Sequence, residues 1–577
     1  MSRFTRRSFV SGAVAATVSG AVGGIGSEAK AQQANATAQS APAGTPSTYC
    51  EILRTPDHVT AYADSRQRLA MVRSNSIWRA EGIELRTDVK PGALSIFLAA
   101  PGLPITRIHL RWTSPVDASI MIVGDAWERS YGDLAWRSIV SERALPWYFA
   151  THAPDGVHSY GVKTAAGALC FWQMDREGIS LWLDVSNGGM GVLLGQRELH
   201  AATVLSRKGS SGEQPLQAIS AFCRSMSPTP RIPQGPIYGT NDWYYAYGKN
   251  TAAQIFRDTD LIASLSPSAG HRPFSVIDAG WEGNSAFPDM TRVAEEIRNR
   301  NVRPGIWVRP LEAFKTTPPN QLIPAARFGT RTNRMIELAY DPTIPEALDA
   351  ALAKIRNPVQ WKYELIKHDF STYDLVGQWG FEMGALPSNP GWHFSDRSKT
   401  NAEIIRDFYS AIRKAAGESP LILGCNTVGH LSAGLFELQR TGDDTSGQAW
   451  ERTRRMGVNT LAYRLPQHGT FFVQDADCVA ITNAVPWPQT RDWLDLVARS
   501  GTALFLSPAP DAIGEEQRAA IREAFAIAAA ADSHGRPLDW LCETAPQDWQ
   551  FDSPSSGAPK IQHYNWCGDN GCDPFPI

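Results

Sequence analysis

Between residues 229 and 531 the sequence alternates eight short apolar segments with amphipathic stretches, and this rhythm restricts the fold more than any other feature. The apolar segments, which we interpret as strands, are PIYGTNDW, FSVIDAG, RPGIWVRP, YELIKHDF, LILGCN, LFELQRTG, FFVQDAD and TALFLSP. Helical patterns lie between many of them, at 252–266, 290–300, 345–356, 401–416 and 491–500. Eight strand–helix units predict an α/β barrel of the (β/α)8 or TIM type. The alternative is a doubly wound open sheet, which the lack of a glycine-rich phosphate loop disfavours.

The preceding region, residues 49–228, has a different rhythm. Short segments of alternating hydrophobicity, such as ALSIFLAA, RIHLRWT and ISLWLDV, are separated by turn residues. This pattern predicts an antiparallel β-sandwich. A proline-rich hinge, SPTPRIPQGP, separates it from the barrel region 229–531. The last segment, 532–577, is too short for a further sandwich, and we interpret it as the remnant or the truncated start of a β-domain.

The N-terminus has the pattern of an export signal. Arg6 and Arg7 are followed by a weakly apolar Ala/Gly/Val stretch and by a small-residue cleavage pattern, AKA. We therefore expect residues 1–31 to be a twin-arginine signal peptide and residues 32–48 to be a flexible linker. Export by this route would place the protein in the periplasm or outside the cell.

Cysteine spacing fits an exported protein. Disulfides are permitted in an oxidising compartment, and Cys567 and Cys572 flank a short GDNG loop that a disulfide could close. Four further cysteines lie in apolar surroundings and are expected to be buried thiols: Cys170, Cys223, Cys425 and Cys478. No spacing resembles a metal site, and we predict neither a metal nor a cofactor.

Charge and composition restrict the kinds of partner that the protein can bind. The net charge is −3 and no basic run follows the N-terminus, which argues against a nucleic-acid partner. No segment after the first thirty residues is long and apolar enough to span a membrane. Nineteen tryptophans suit the apolar faces of a carbohydrate, although a large β-rich protein also buries many. The sequence does not fix the oligomeric state.

Polar and aromatic side chains follow the predicted strands, at the barrel end where active sites lie. In chain order they are Asn241, Asp242, Trp243, Asp278, Trp281, Trp307, Arg309, Lys367, Asp369, Asn426, Arg440, Asp443, Asp444, Asp475 and Asp477. Glycoside cleavage requires two carboxyl groups that face one pocket. Lys367 near Asp369 would favour the ionised carboxylate that a nucleophile needs. The alternative is an ion pair that only organises the barrel rim.

At these positions the sequence resembles the melibiase-type α-galactosidases and their clan. YELIKHDF resembles their strand-4 signature, in which Lys-x-Asp carries the nucleophile, and RTGDDTS resembles the strand-6 signature that carries the acid/base. FSVIDAGWEG and RPGIWVRP resemble the segments of strands 2 and 3. The order of a β-sandwich before the barrel also matches, so the resemblance covers about residues 50–530.

This resemblance implies a retaining mechanism through a covalent glycosyl–enzyme intermediate and no metal. Asp369 would be the nucleophile and Asp443 the acid/base, with Asp444 as the second candidate because the doubled aspartate leaves the register open by one. The remaining matched positions would bind the sugar: Asp242, Trp243, Asp278, Trp281, Trp307, Arg309, Lys367, Asn426 and Arg440. The family often has paired aspartates where this chain has Asp278 and Ala279, which leaves the identity of the sugar open.

Three other readings stay open at this point. A metal-dependent hydrolase on the same barrel would use a carboxylate with one of four histidines, which are His368, His393, His430 and His468. A sugar-binding protein with an inactive site would keep the fold without turnover. An enzyme with the same chemistry could also transfer the glycosyl group to another sugar rather than to water.

Overall fold

Two antiparallel sheets form from the first part of the chain and one parallel sheet from the middle. The structure is a computed structural model that describes residues 46–64, 67–268, 270–330, 337–552, 558–568 and 571–572. The predicted signal peptide 1–31 lies outside the described residues, as does the predicted linker 32–48 up to residue 45. No helix in this part of the chain is long and apolar enough to cross a membrane.

Fourteen strands and one helix form the first region. The strands are β1 His58–Ala63, β2 Arg68–Ala70, β3 Val72–Ser74, β4 Ile77–Ala80, β5 Ile83–Lys90, β6 Ala93–Ala99, β7 Ile105–Thr113, β8 Met121–Gly124, β9 Leu145–Pro146, β10 Tyr148–Ala153, β11 Gly156–Val162, β12 Leu169–Asp175, β13 Gly178–Asp184 and β14 Leu199–Arg207, followed by helix α1 Pro215–Met226. They form a six-stranded sheet, β2-β1-β7-β13-β12-β9, and an eight-stranded sheet, β3-β4-β5-β6-β14-β11-β10-β8. Alternate side chains of both sheets, such as Ile96 on β6 and Ile108 on β7, belong to one apolar core, which is consistent with the predicted sandwich.

Nine parallel strands form the second region. They are β15 Tyr238–Asn241, β16 Phe274–Ile277, β17 Arg303–Val308, β18 Leu365–His368, β19 Leu421–Gly424, β20 Leu438–Arg440, β21 Val473–Asp475, β22 Val479–Ile481 and β23 Leu504–Pro508. The α-helices that follow α1 are α2 Trp243–Ala246, α3 Ala252–Leu265, α4 Met290–Asn299, α5 Pro345–Gln360, α6 Ser371–Val376, α7 Gly380–Met383, α8 Asn401–Ala416, α9 Gly429–Ser432, α10 Trp450–Thr453, α11 Asn459–Arg464, α12 Trp487–Ser500 and α13 Glu515–Ala530.

The nine strands follow one another as β21-β20-β19-β18-β17-β16-β15-β23-β22. From β15 to β21 the order runs along the chain without the reversal of a doubly wound sheet. At the β21 edge, Asp475 forms an isolated parallel bridge with Ala503, whose backbone N–H donates to the carbonyl of Gln474 at 3.0 Å. Since Ala503 directly precedes β23, the sheet is curled and its two ends approach each other.

One strand was not predicted. β22 follows β21 after only three residues, where Asp477 has a left-handed φ of 79° that redirects the chain. The sequence FFVQDADCVAI therefore reads as a single strand although the structure divides it in two. The segment after residue 531 forms a three-stranded antiparallel sheet, β24 His534–Pro537, β25 Asp548–Asp552 and β26 Lys560–His563. A disulfide joins Cys567 to Cys572 beside it.

Strand β18 shows how the sheet positions charged groups. Leu365 belongs to the small apolar cluster that also holds Phe274, Leu423 and Phe505, side chains of other strands of the same parallel sheet. Ile366 belongs instead to the larger core that includes the helices. Because successive side chains of a strand alternate, Lys367 lies on the side of Leu365 and His368 on the side of Ile366.

Candidate active site

Asp369 follows β18 directly and is 1% exposed. Its Oδ2 accepts a hydrogen bond from the indole Nε1 of Trp307 at 2.9 Å, and its Oδ1 accepts one from the backbone N–H of Phe370 at 2.7 Å. Phe370 has a left-handed φ of 67°, so the chain turns sharply after the carboxylate. Donors on both oxygens favour the ionised carboxylate and fix its orientation, which are the two properties of a carboxylate nucleophile.

Lys367 pairs with Asp278, which lies two strands away at the end of β16. The Lys367 Nζ donates to Asp278 Oδ2 at 2.6 Å, and Asn241 Nδ2 donates to the same oxygen at 2.8 Å. Burial opposes the charge of Lys367, but the Asp278 carboxylate outweighs it, and the pKa of the ammonium is raised. The sequence predicts that Lys367 favours the ionised form of Asp369. The structure shows Asp278 as its ion-pair partner and assigns the orientation of Asp369 to Trp307 and Phe370.

Asp242 lies beside this pair. Its Oδ1 accepts a hydrogen bond from the backbone N–H of Asp278 at 2.7 Å, and its Oδ2 accepts one from Asn250 Nδ2 at 2.7 Å. Burial, followed by the negative charge of Asp278, raises the pKa of Asp242 to about 7. Near neutral pH this carboxyl group can therefore act both as a donor and as an acceptor toward a hydroxyl group.

Asp443 and Asp444 follow β20 and are held by arginines. Asp443 accepts a hydrogen bond from Arg452 Nη2 at 2.7 Å, and Asp444 accepts one from Arg440 Nη2 at 3.2 Å. Arg129 reaches both carboxylates, at 3.2 Å from Asp443 Oδ1 and 3.4 Å from Asp444 Oδ1. The two side chains are 18% and 14% exposed, respectively, so both are more accessible than Asp369.

Arg440, which donates to Asp444, is itself held by buried groups. Its Nη2 donates to Asp477 and lies 3.4 Å from the hydroxyl of Tyr244. Burial opposes the charge of Arg440, but the Asp477 carboxylate outweighs it and raises the pKa of the guanidinium well above its ordinary value. Asp475, at the end of β21, accepts the backbone N–H of Asp477 at 2.9 Å, and burial raises the pKa of Asp475 to about 6. Arg440, Asp477 and Asp475 thus connect the ends of β20 and β21 through an ion pair and a hydrogen bond.

Arg129 belongs to the sandwich region and was not predicted from the sequence as a site residue. It lies in a segment, residues 125–131, that follows β8 and forms a parallel bridge between Ser130 and Gly442. Ser130 N–H donates to the Thr441 carbonyl at 2.8 Å, and Asp443 N–H donates to the Ser130 carbonyl at 2.9 Å. The only signal in the sequence was a cluster of charged and aromatic residues, DAWERSYGD, in a region otherwise read as strands and turns. We call residues 125–131 the insertion segment.

Trp243 and Trp281, two of the residues predicted to bind the sugar, lie in different places. Trp243 is 7% exposed and belongs to the inner apolar cluster of the parallel sheet. Trp281 donates its Nε1 to the carbonyl of Trp307 at 2.9 Å, and its ring packs edge-on against Trp361 beyond the end of α5. Together with Phe287, Trp281 and Trp361 line a cavity of about 430 Å³ that contains none of the carboxylates described above.

In the contacts that the structure describes, Asn426 and Arg309 bind other protein groups and hold them in place. Asn426 donates to Glu128 Oε2 of the insertion segment at 2.5 Å, and its Oδ1 accepts the backbone N–H of Tyr373 at 3.2 Å. Arg309 pairs with Asp374 at 2.5 Å, and its guanidinium carbon lies 4.2 Å from the ring centroid of Phe370. Through Phe370, Arg309 steadies the turn that follows Asp369.

The four histidines considered as metal ligands have different neighbours. His430 stacks on Trp147 at 4.7 Å, His393 Nδ1 lies 2.7 Å from the carbonyl of Phe394, and His468 Nδ1 accepts a backbone N–H at 3.3 Å. His368 faces aromatic rings on the helix side of β18. Within the described ranges no group of three or more His, Cys, Asp or Glu side chains is placed to hold a metal ion.

Known structures share this architecture, although no protein-family model matches the chain. The α-galactosidase TtGalA of Thermus thermophilus, in complex with p-nitrophenyl α-D-galactopyranoside, is 18% identical and has a TM-score of 0.57 over 88% of this chain and 99% of its own. The GH36 α-galactosidase AgaA of Geobacillus stearothermophilus is 12% identical, with a TM-score of 0.54 over 87% of this chain and 80% of its own. The α-galactosidase of Lactobacillus brevis is 12% identical, with a TM-score of 0.54 over 87% and 77%.

The fold is therefore that of the α-galactosidases, with antiparallel sheets followed by a curled parallel sheet. The likeness extends over both regions of the chain and nearly the whole of the Thermus enzyme. At identities below 20% this likeness shows a shared backbone arrangement, whereas the chemistry depends on the side chains of the site.

Proposed function

We propose that the protein is a retaining exo-glycosidase that hydrolyses terminal α-galactosidic or closely related α-glycosidic bonds. The observation that carries this proposal is that the carboxylates of the site are buried to different extents. Asp369 is enclosed and is fixed by two N–H donors, whereas Asp443 and Asp444 lie at a more exposed level. An exo-acting enzyme attacks the anomeric carbon of an enclosed sugar and protonates a leaving oxygen that points outward.

The roles follow from this arrangement. Asp369 attacks the anomeric carbon, and Trp307 and Phe370 keep its lone pairs aimed. Asp443, with Asp444 as the second candidate, donates a proton to the leaving oxygen and then removes one from the incoming water. The attacking and proton-donating carboxyl groups are expected to be about 5–5.5 Å apart in the productive state.

The buried polar groups next to Asp369 suit a sugar ring. Lys367, Asp278, Asp242 and Arg440 present charged donors and acceptors to its hydroxyl groups, and such hydrogen bonds are about twice as strong as neutral ones. Solved structures of the same fold are complexes with p-nitrophenyl α-D-galactopyranoside and with stachyose, which supports a galactoside for this chain. Ala279, in place of a second carboxylate, leaves room for a related sugar.

The same proposal includes a closed eight-stranded barrel and export. Closure is supported by the bridge between Asp475 and Ala503, which makes β22 an extension beside β23. Export by the twin-arginine route, to the periplasm or the outside, rests on Arg6 and Arg7.

The decisive experiment compares the wild-type protein with Asp369→Asn. The substrates are aryl α-galactoside, N-acetyl-α-galactosaminide, α-glucoside, α-xyloside and β-L-arabinopyranoside. We expect turnover of at least one substrate and a loss in Asp369→Asn of roughly a thousandfold or more. The matched control is Asp407→Asn, an exposed aspartate on α8, which should keep full activity. Binding of a sugar without any turnover by the wild type would instead indicate a carbohydrate-binding protein.

Two further variants decide between the acid candidates. Removing the general acid should slow substrates with poor leaving groups far more than a dinitrophenyl glycoside, because the latter leaves without protonation. Asp443→Asn is expected to show this leaving-group dependence, and azide should restore its activity by taking the place of water. The same behaviour in Asp444→Asn alone would move the role by one residue.

A further inference from the structure

Two aromatic rings from different regions meet at the surface beside the candidate acid. Phe381, on α7, is 62% exposed, and Tyr131 of the insertion segment is partly exposed. Their ring centroids are 4.9 Å apart with an interplanar angle of 72°, an edge-to-face contact. Because the two rings touch, they form one exposed apolar patch, and such patches mark binding sites more often than single exposed side chains do.

A buried carboxylate holds both rings in place. Glu128, 0% exposed, accepts a hydrogen bond from the hydroxyl of Tyr131 and another from the backbone N–H of Gly380 at 3.0 Å. Gly380 directly precedes Phe381, so one side chain fixes both parts of the pair. The approach is so close that a Cβ on Gly380 would lie 2.5 Å from Glu128 Cγ. Burying a charged group is expensive, and two of the hydrogen bonds that Glu128 accepts are made next to the surface rings, while a third comes from Asn426.

The pair is connected to the reaction centre through one side chain. The guanidinium carbon of Arg129 lies 5.8 Å from the ring centroid of Tyr131 and 5.5 Å from that of Trp379. The same guanidinium contacts the carboxylates of Asp443 and Asp444. The rings are therefore one side chain away from the candidate proton donor, and Phe381 is more exposed than that donor, as a group that meets a departing sugar would be.

We propose that Tyr131 and Phe381 form a subsite for the leaving group, and that its ligand is a pyranose ring next to the scissile bond. This rests on the proposed function. The C–H faces of a pyranose stack on aromatic rings, and rings that are fixed before binding lose little entropy when the sugar arrives. The natural substrate would then be an oligosaccharide or a glycan rather than a glycoside of a small alcohol.

The test compares two substrates that share the same terminal sugar. One is the glycosyl fluoride, whose leaving group has no ring, and the other is an oligosaccharide whose leaving group is a pyranose. In Phe381→Ala we expect kcat/KM to fall roughly tenfold for the oligosaccharide and to stay within about twofold for the fluoride. Phe314→Ala is the matched control, because Phe314 is 65% exposed and its ring lies over Lys354 of α5.

Tyr131→Phe tests the contribution of the aromatic ring separately from that of its hydrogen bond to Glu128. It keeps the aromatic face but removes the hydroxyl that Glu128 accepts, so we expect a smaller loss on the oligosaccharide than in Phe381→Ala. An equal loss on both substrates in Phe381→Ala would show a structural role, and no loss on either would place the leaving group elsewhere. Both results overturn the subsite while leaving the proposed function intact. If the wild type hydrolyses neither substrate, the proposed function itself fails, and the subsite fails with it.

Discussion

Lys367 and His368 are neighbours on β18, yet they occupy opposite environments. The ammonium of Lys367 meets the carboxylate of Asp278, and this partner raises its pKa despite burial. The imidazole of His368 meets the rings of Phe408, Tyr409 and Phe436, and its nitrogens have no hydrogen-bond partner among the described residues. The alternation of a strand therefore places a charge toward the site and an uncharged ring toward the helices.

His368 makes the protein sensitive to acid. Burial lowers the pKa of His368 from 6.5 to about 3. Between these values the unfolded chain binds a proton that the folded chain does not, so stability is lost as the pH falls through this window. Replacing the ring by leucine, His368→Leu, removes this loss. The free energy of unfolding of the variant minus that of the wild type should therefore be larger at about pH 4.5 than at about pH 7.5, by up to about 2.5 kcal/mol.

Urea unfolding of both proteins at the two pH values measures this difference. A constant gap between wild type and variant would contradict the buried, neutral imidazole. Activity near neutral pH is expected to change by no more than a few fold, because the ring faces away from Asp369.

At this scale the sequence predicted which residues reach the site better than it predicted their partners. Alternation in YELIKHDF and its position before a turn were enough to bring Lys367 and Asp369 to a strand end. The partner of Lys367 depends on the spacing of β16 and β18 in the sheet, which no local pattern contains. The surroundings of Trp281 were unpredictable for a similar reason, since its ring packs against Trp361 beyond the end of α5.

At the scale of elements, the bounds of α8 were predicted correctly, whereas α5 ends four residues later and α12 begins four residues earlier than predicted. Thr400 and Glu403 form the reciprocal hydrogen bonds of a capping box at 3.1 and 2.9 Å, and α8 begins at the predicted residue. The insertion segment was unpredictable because its bonds join Ser130 to residues more than 300 positions later. Its role therefore needs a test of its own.

Arg129 is the residue of the insertion segment that acts on charge. Its guanidinium contacts the carboxylates of both Asp443 and Asp444, so removing it leaves each of them with one fewer arginine to fix its orientation. In Arg129→Leu we expect kcat for a glycoside with a poor leaving group to fall roughly tenfold, because that leaving group depends on a correctly placed proton donor. A dinitrophenyl glycoside, which leaves without protonation, should lose no more than about twofold.

The choice of leaving group distinguishes this role from loss of structure. A partly unfolded protein would lose activity equally on both substrates. Arg129→Lys, which keeps a positive charge near the two carboxylates, should recover part of the loss on the poor leaving group. Arg79→Leu is the matched control, since Arg79 forms an exposed pair with Glu84 in the sandwich.

At the scale of the whole molecule, the sandwich and the parallel sheet share buried charge. Asp125, in the insertion segment, pairs with Arg464 of α11 at 3.0 Å, and both side chains are 2% exposed. Gln467 Nε2 donates to the same carboxylate at 2.9 Å. The order of sheet types was visible in the sequence rhythm, but this contact was not, because polar residues in a turn give no sign of being buried by a distant helix.

Shared buried charge predicts that the two regions unfold together. Asp125→Ala leaves the guanidinium of Arg464 without its carboxylate, and breaking a buried pair costs roughly 3 kcal/mol or more. Far-UV circular dichroism and tryptophan fluorescence should therefore report one thermal transition in the wild type and one transition at lower temperature in Asp125→Ala. Asp88→Ala, which removes only an exposed partner of Lys90, should leave the transition in place. Two separate transitions, only one of which responds to Asp125→Ala, would mean that the sandwich folds independently and that Arg129 reaches the acid only after the regions dock.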